Sequence, residues 1–271
     1  MHTMDNFGFL QENFPSLENL GTLAESYLYT DPSTAIMKLG ILCESIIKLI
    51  YQYDGVNPPH ENTAVKRIDT LSQEGILPDQ VVNIFHLVRK ARNKAAHENW
   101  GSPVEVERYL PMVHSLAWWF AATYGDMEFK VSKYVLPTKQ AVPVSAPVVL
   151  EQETEALVKK DESKAQHAQK VPKAERSRRS NSAANQRPKT EAETRLLIDE
   201  QLSQVGWHAN TEHLRFSNGG RPTMGLNQAS EVLLPPTQTA SPSPLSRRKN
   251  ECIVGRFSDA YHWTTGGIRR C

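Results

Sequence analysis

The groups best equipped for chemistry lie close together on one predicted helix: Arg92, Asn93 and His97, with Arg89 one turn earlier. A histidine beside an arginine can pass a proton during phosphodiester cleavage, while the arginine neutralises charge developing on the phosphate. The same residues admit a structural use, in which Arg92 pairs inside a helical bundle and His97 caps the helix end. A second set follows much later in the chain. Glu191, Glu193 and Arg195 open another predicted helix, and Arg215 and Arg221 flank Asn218, Gly219 and Gly220. These last two arginines could contact DNA phosphates or stand as ordinary loop charges. Cys43, Cys252 and Cys271 are too few and too scattered for a disulfide framework or a zinc site. No phosphate-cradling loop ends in Gly-Lys-Ser/Thr, so no ATP-driven motor is expected within the sequence.

Helices must position these groups. Leu17, Leu20, Leu23, Ala24 and Tyr27 recur at helical spacing, and Asp31 with Pro32 marks a new N-terminus. The helix it opens, expected over 32–53, carries one stripe of Ile36, Leu39, Cys43, Ile47 and Ile50 and a second of Leu42, Ile46, Leu49 and Tyr53. So wide an apolar face suits the central helix of a bundle. The turn DGVNPP ends it, and Ala64, Val65, Ile68 and Leu71 imply a short helix closed by Gly75. Pro78 and Asp79 then open DQVVNIFHLVRKARNKAAH, where Val81, Ile84, Phe85 and Val88 share a face. Arg92 falls on that face and needs a partner there, Glu44 being a candidate, because an unpaired buried charge is costly. Arg89, Asn93 and His97 form a polar strip beside it. Ser102, Pro103 and Glu105 start a last long helix with a stripe from Val106 to Tyr124, its edge sealed by Trp118 and Trp119. Phe129 to Leu136 alternates loosely, as one small strand would.

Composition divides the chain after this point. Residues 138–190 contain no aromatic side chain and much Lys, Glu, Ser, Pro and Ala, which reads as a flexible charged linker, partly helical at most. The basic run Arg176 to Arg179 within it is expected to be solvated or to touch DNA phosphates nonspecifically. Order returns at Thr190, where TEAE is a capping box and the helix it starts stops at Gly206. Beyond about residue 233 no period of either kind persists. A formal charge of +1 gives no global electrostatic case for nucleic acid or membrane. With no apolar run long enough to span a bilayer and no signal peptide evident, a soluble cytoplasmic protein without membrane contact is expected.

Two resemblances add to this reading. The Arg92 to His97 spacing resembles the Arg-x4-His signature of HEPN-type ribonucleases, helical bundles that pair so that two motifs face one cleft. More broadly, LYTDPSTAIMKLGILCESIIKLIY with FHLVRKARNKAAHE resembles the DUF4145 domain found at the start of many type I restriction enzyme restriction subunits. Arg89, Asn93 and His97 match its corresponding helix, with Arg92 standing where the family usually has glycine. The run ETRLLIDEQLSQVGWHANTEHLRFSNGGRPTMGLNQA resembles the opening of the nuclease domain in the same subunits.

The resemblance implies a mainly α chain in four parts. These are a helical bundle over 1–137, a disordered charged linker over 138–189, the truncated start of an α/β restriction-nuclease-like domain over 190–232, and an irregular tail over 233–271 consistent with a frameshift. It also implies, for the intact family member, Mg²⁺ held by an Asp and a Glu-x-Lys, and ATP for translocation. Neither cofactor is expected here, because no Glu-x-Lys follows Glu231. Within such a nuclease Glu191, Glu193 and Arg195 would support the metal site or approach the DNA. The expected role is therefore DNA restriction-modification without cleavage by this chain alone: weak, nonspecific contact with DNA and assembly with modification and specificity subunits. The competing expectation is a self-contained ribonuclease using Arg92 and His97, or a purely structural interaction domain.

Overall fold

In a computed structural model the described residues are 6–98, 100–125, 133–138 and 146–206, and all regular structure among them is helical. The chain divides into two compact units, Met1–Ile198 and Asp199–Cys271. After a 3-10 turn at Gly8–Leu10, the first unit is built from α1 (Pro15–Tyr27), α2 (Pro32–Asp54), α3 (Ala64–Gln73), α4 (Asp79–Glu98), α5 (Pro103–Tyr124), α6 (Ala146–His167) and α7 (Lys173–Gln186). The next helix, α8 (Glu191–Gln204), begins within it.

Local chemistry sets the helix ends. The Asp31 carboxylate accepts from the Thr34 amide, Thr63 Oγ1 from that of Lys66, and Ser102 Oγ from that of Glu105, each satisfying a donor the helix cannot satisfy itself. Gly55 terminates α2 in the left-handed region at φ +63°, where a side chain would be strained. The two expected stripes of α2 are buried from Ile36 to Tyr53, and α2 packs against α1, α4, α5 and α6. It is the central helix.

The flexible linker expected over 138–189 is not what its described residues show. Residues 146–186 contain α6 and α7, which pack on α1, α2 and α5. Composition misled because the anchors are polar. Asp161 of α6, 3% exposed, accepts from the Ser16 amide at 2.9 Å and so caps the start of α1, where Phe14 offers no side-chain cap. The Arg176 guanidinium is buried rather than solvated. Its Nε donates to Asp54 at 3.0 Å, a terminal nitrogen donates to the Thr123 carbonyl at 2.8 Å, and its plane lies 4.2 Å from the Tyr124 ring. Small residues complete the seam: Ala165, Ala183 and Ala184 let these helices approach closely.

Two further expectations change. Trp118 and Trp119, expected to seal the edge of α5, are both buried, and Trp119 Nε1 donates to the Ser180 carbonyl of α7. α5 is buried over most of its circumference from Tyr109 to Tyr124 and therefore needs cover from several sides. Of the small strand expected from Phe129 to Leu136, the described part, from Lys133, has no regular structure, and the rest lies outside the described residues. That segment is nonetheless fixed: Tyr134 donates to Glu25, and Asn6 exchanges two hydrogen bonds with the backbone of Val135.

Candidate functional site

Arg92 lies on α4 where that helix crosses α2. Its stem covers Gly40, where a β-carbon would overlap Arg92 Cγ and Cβ, so α2 supplies the glycine that makes room at this crossing. The guanidinium then reaches Glu44, 3.2 Å away, one turn along α2. The pairing expected from sequence is present, and it is half-buried: both side chains are 36% exposed. Glu44, Arg89 and Arg92 line a narrow crevice with Gly40, Cys43 and Phe85. The Arg89 Nε is buried there without a hydrogen-bond partner, and burial raises the Cys43 thiol far above the usual range, keeping it protonated and inert.

Asn93 and His97 are held differently. Asn93 is partly exposed and His97 is exposed in the last turn of α4, where a cation would complement the helix dipole. Five residues of α-helix rotate His97 by roughly 140° from Arg92. The two groups therefore leave α4 on different sides, with Arg92 turned toward Glu44 of α2.

The second candidate set resolves into two unlike pairs. Glu191 and Arg195 form a surface pair one helical turn apart at 2.8 Å, with Glu191 80% exposed. Glu193 combines a capping role, its amide donating to Thr190 Oγ1 at 3.0 Å, with a buried ion pair. Arg187 grips its carboxylate in a fork, at 2.5 and 2.8 Å, and donates also to Ser115 Oγ at 2.8 Å. With both oxygens taken by a guanidinium that is itself fully buried, this carboxylate is not disposed to hold a cation. Among the described residues no group of three or more His, Cys, Asp or Glu side chains is placed to hold a metal ion. Arg215 and Arg221 lie outside the described residues.

Sequence reasoning missed Arg176 and Arg187 as organising residues. Their signal was indirect: an over-apolar α5 with Ser115, Trp119 and Thr123 on it, polar groups that require partners once buried. His114 belongs to the same helix and sits in a cage of Phe7, Phe9 and Tyr134, ring centroids 5.3 to 5.6 Å away. Burial lowers its pKa to about 4, so it is neutral near pH 7.

Residues 22–145 match the family model described as a domain of unknown function, DUF4145. The chain is also similar to the type I restriction enzyme EcoKI endonuclease subunit of Escherichia coli strain K12, 26% identical over 282 aligned residues. That alignment covers 84% of this chain and 24% of the relative, so the chain spans about a quarter of the length of the curated protein it matches. No solved structure matches it. Among the described residues no helix is long and apolar enough to cross a membrane.

Proposed function

We propose that this chain corresponds to the N-terminal part of a type I restriction endonuclease restriction subunit, and that its helical unit serves binding and assembly rather than cleavage. The observation that carries the proposal is the reach of the similarity to the EcoKI endonuclease subunit. It covers 84% of the chain and so continues beyond the residues matched by the DUF4145 family. Two distinct sequence runs in the order of such a subunit, the helical domain and then the ETRLLIDEQLSQVGW segment, support the same assignment. Two of the candidate groups are engaged in structure, Arg92 with Glu44 and Glu193 with Arg187, and Arg92 and His97 leave α4 on different sides. On this reading the chain works in a DNA restriction-modification complex in the cytoplasm, its partners are the modification and specificity subunits, and any nuclease or ATP-dependent step belongs to parts of the complex other than the helical unit.

The test is direct. The purified chain is mixed with modification and specificity subunits of a type I system and run on a sizing column; co-elution is the expected result. The competing ribonuclease reading is tested in the same preparation by incubating the chain with RNA in the presence of a chelator. Metal-independent cleavage that disappears in His97→Ala, together with no co-elution, would overturn the proposal in favour of the ribonuclease.

A further inference from the structure

A cleft of about 600 Å³ opens between the C-terminal end of α2, α3 and α6, away from the Arg92 crevice. Its charge is lopsided. Lys48, Arg67 and Lys170 line it against one carboxylate, Glu162, and the remaining polar lining includes the amides of Asn57 and Gln166. Surface cations of a protein with a net charge of only +1 are ordinarily interspersed with acids, as Lys173 is with Glu74 and Arg178 and Arg179 are with Glu175. Within the cleft they are not: among the described residues neither Lys48 nor Lys170 has an ion-pair partner. Arg67 is held in place through Nε, which donates to Asn62 at 2.5 Å, while its own carbonyl accepts from the Tyr51 hydroxyl at 3.0 Å. Its two terminal nitrogens stay available for a ligand.

The backbone contributes to the same arrangement. Gly55, left-handed at the end of α2, leaves the space in which the Lys170 ammonium lies, and any β-carbon there would overlap it. Lys170 follows α6 and is drawn over the end of α2, whose carbonyl-rich terminus suits a cation. Three side chains that carry full charge and line one concave surface together with neutral amides supply the chemistry that recognises phosphate oxygens.

We propose that this cleft is a binding site for a phosphorylated ligand, recognised through its phosphate oxygens by Lys48, Arg67 and Lys170. It stands apart from the restriction reading, since no part of it depends on which complex the chain joins. A free polyphosphate or nucleotide and the backbone of a nucleic acid present the same group, and the experiment separates them. The full chain is titrated with sodium triphosphate, with ATP and with a short fluorescent DNA duplex, by calorimetry and anisotropy.

Lys48→Ala with Lys170→Ala should weaken binding about tenfold per lost charge-assisted contact. For the duplex it should also reduce the salt dependence by roughly 0.9 per phosphate contact removed. Lys133→Ala with Lys189→Ala, exposed lysines outside the cleft, should leave binding unchanged. Glu162→Gln removes the only carboxylate in the lining and should tighten binding severalfold, a gain that misfolding cannot produce. Binding of triphosphate and ATP identifies a free phosphorylated ligand, and binding of the duplex alone identifies a nucleic-acid backbone; either supports the site. It is overturned if no probe binds, if binding survives the double substitution, or if Glu162→Gln fails to strengthen it.

Discussion

Replacing Arg176 with methionine tests whether α7 belongs to the folded unit. The guanidinium is 4% exposed and meets Asp54, itself 9% exposed, at 3.0 Å, the Thr123 carbonyl at 2.8 Å and the face of Tyr124. Tyr124 donates to the other Asp54 oxygen at 2.6 Å; burial and that carboxylate push the phenol well above its ordinary range, so it remains a donor. Arg176→Met leaves a buried carboxylate with one neutral donor, a situation that costs about 3–5 kcal/mol. For a unit of this size the melting temperature should fall by roughly 10 °C. Urea denaturation monitored by tryptophan fluorescence is the assay, because Trp119 donates to Ser180 in the same seam. Adding Asp54→Asn should recover a substantial part of the loss, since the uncompensated charge disappears. A cost below about 1 kcal/mol for Arg176→Met, with no recovery in the double variant, would show that α7 is not part of the cooperative unit.

Other expected outcomes follow from the same geometry. Gly40→Ala should destabilise the chain by about 1–3 kcal/mol through overlap with the Arg92 stem, and Arg92→Ala should relieve most of that cost, which a double-mutant cycle by thermal melting would reveal. His114 is held neutral, its pKa lowered to about 4 against 6.5 when unfolded. Between those values the unfolded chain binds the proton and the folded chain does not. Stability is therefore fully present above pH 6.5 and declines as pH falls toward 4, by roughly 3 kcal/mol in all. His114→Phe should flatten that part of the stability profile, and an unchanged slope between pH 6.5 and 4 would refute the assignment. Glu193→Gln should lower stability by about 3 kcal/mol through the stranded Arg187 charge, as chemical denaturation can measure. A protein shortened to residues 1–137 should expose the α5 face that α7 covers and lose cooperative unfolding in a thermal melt, whereas one ending at 198 should keep it.

What could be read from sequence depended on whether a helix announces itself by apolar rhythm. α1 to α5 do so, and several of their ends are recognisable without coordinates: Asp31, Ser102 and the glycines at 55 and 75. The Arg92 to Glu44 pair was accessible for the same reason, since a charge on an apolar stripe demands a partner and α2 offers one suitably placed acid. α6 and α7 have no comparable stripe. They are held by one aspartate, one arginine and a few alanines, residue types that a composition-based reading assigns to solvent. The candidate site suffered in proportion. The spacing of Glu193 from Thr190 pointed first to a cap and second to metal chemistry, and neither reading foresaw Arg187, six residues earlier in the supposed linker, on its carboxylate.

The position of these buried charges bears on how the unit is delimited. The DUF4145 match ends at residue 145, but α6 caps α1, α7 covers Trp119, and the Arg187 to Glu193 pair attaches the start of α8 to Ser115 of α5. Each of these contacts joins a residue beyond 145 to one before 125, and each would leave a polar group stranded in the interior if the later helices were withdrawn. Purely apolar docking could slide or detach at a modest cost per residue; a buried arginine has a fixed register, because its fork matches one carboxylate in one orientation. The charged segment thus orients as well as covers. It holds the first turn of α8 against Ser115 of α5 through a geometry that permits little rotation.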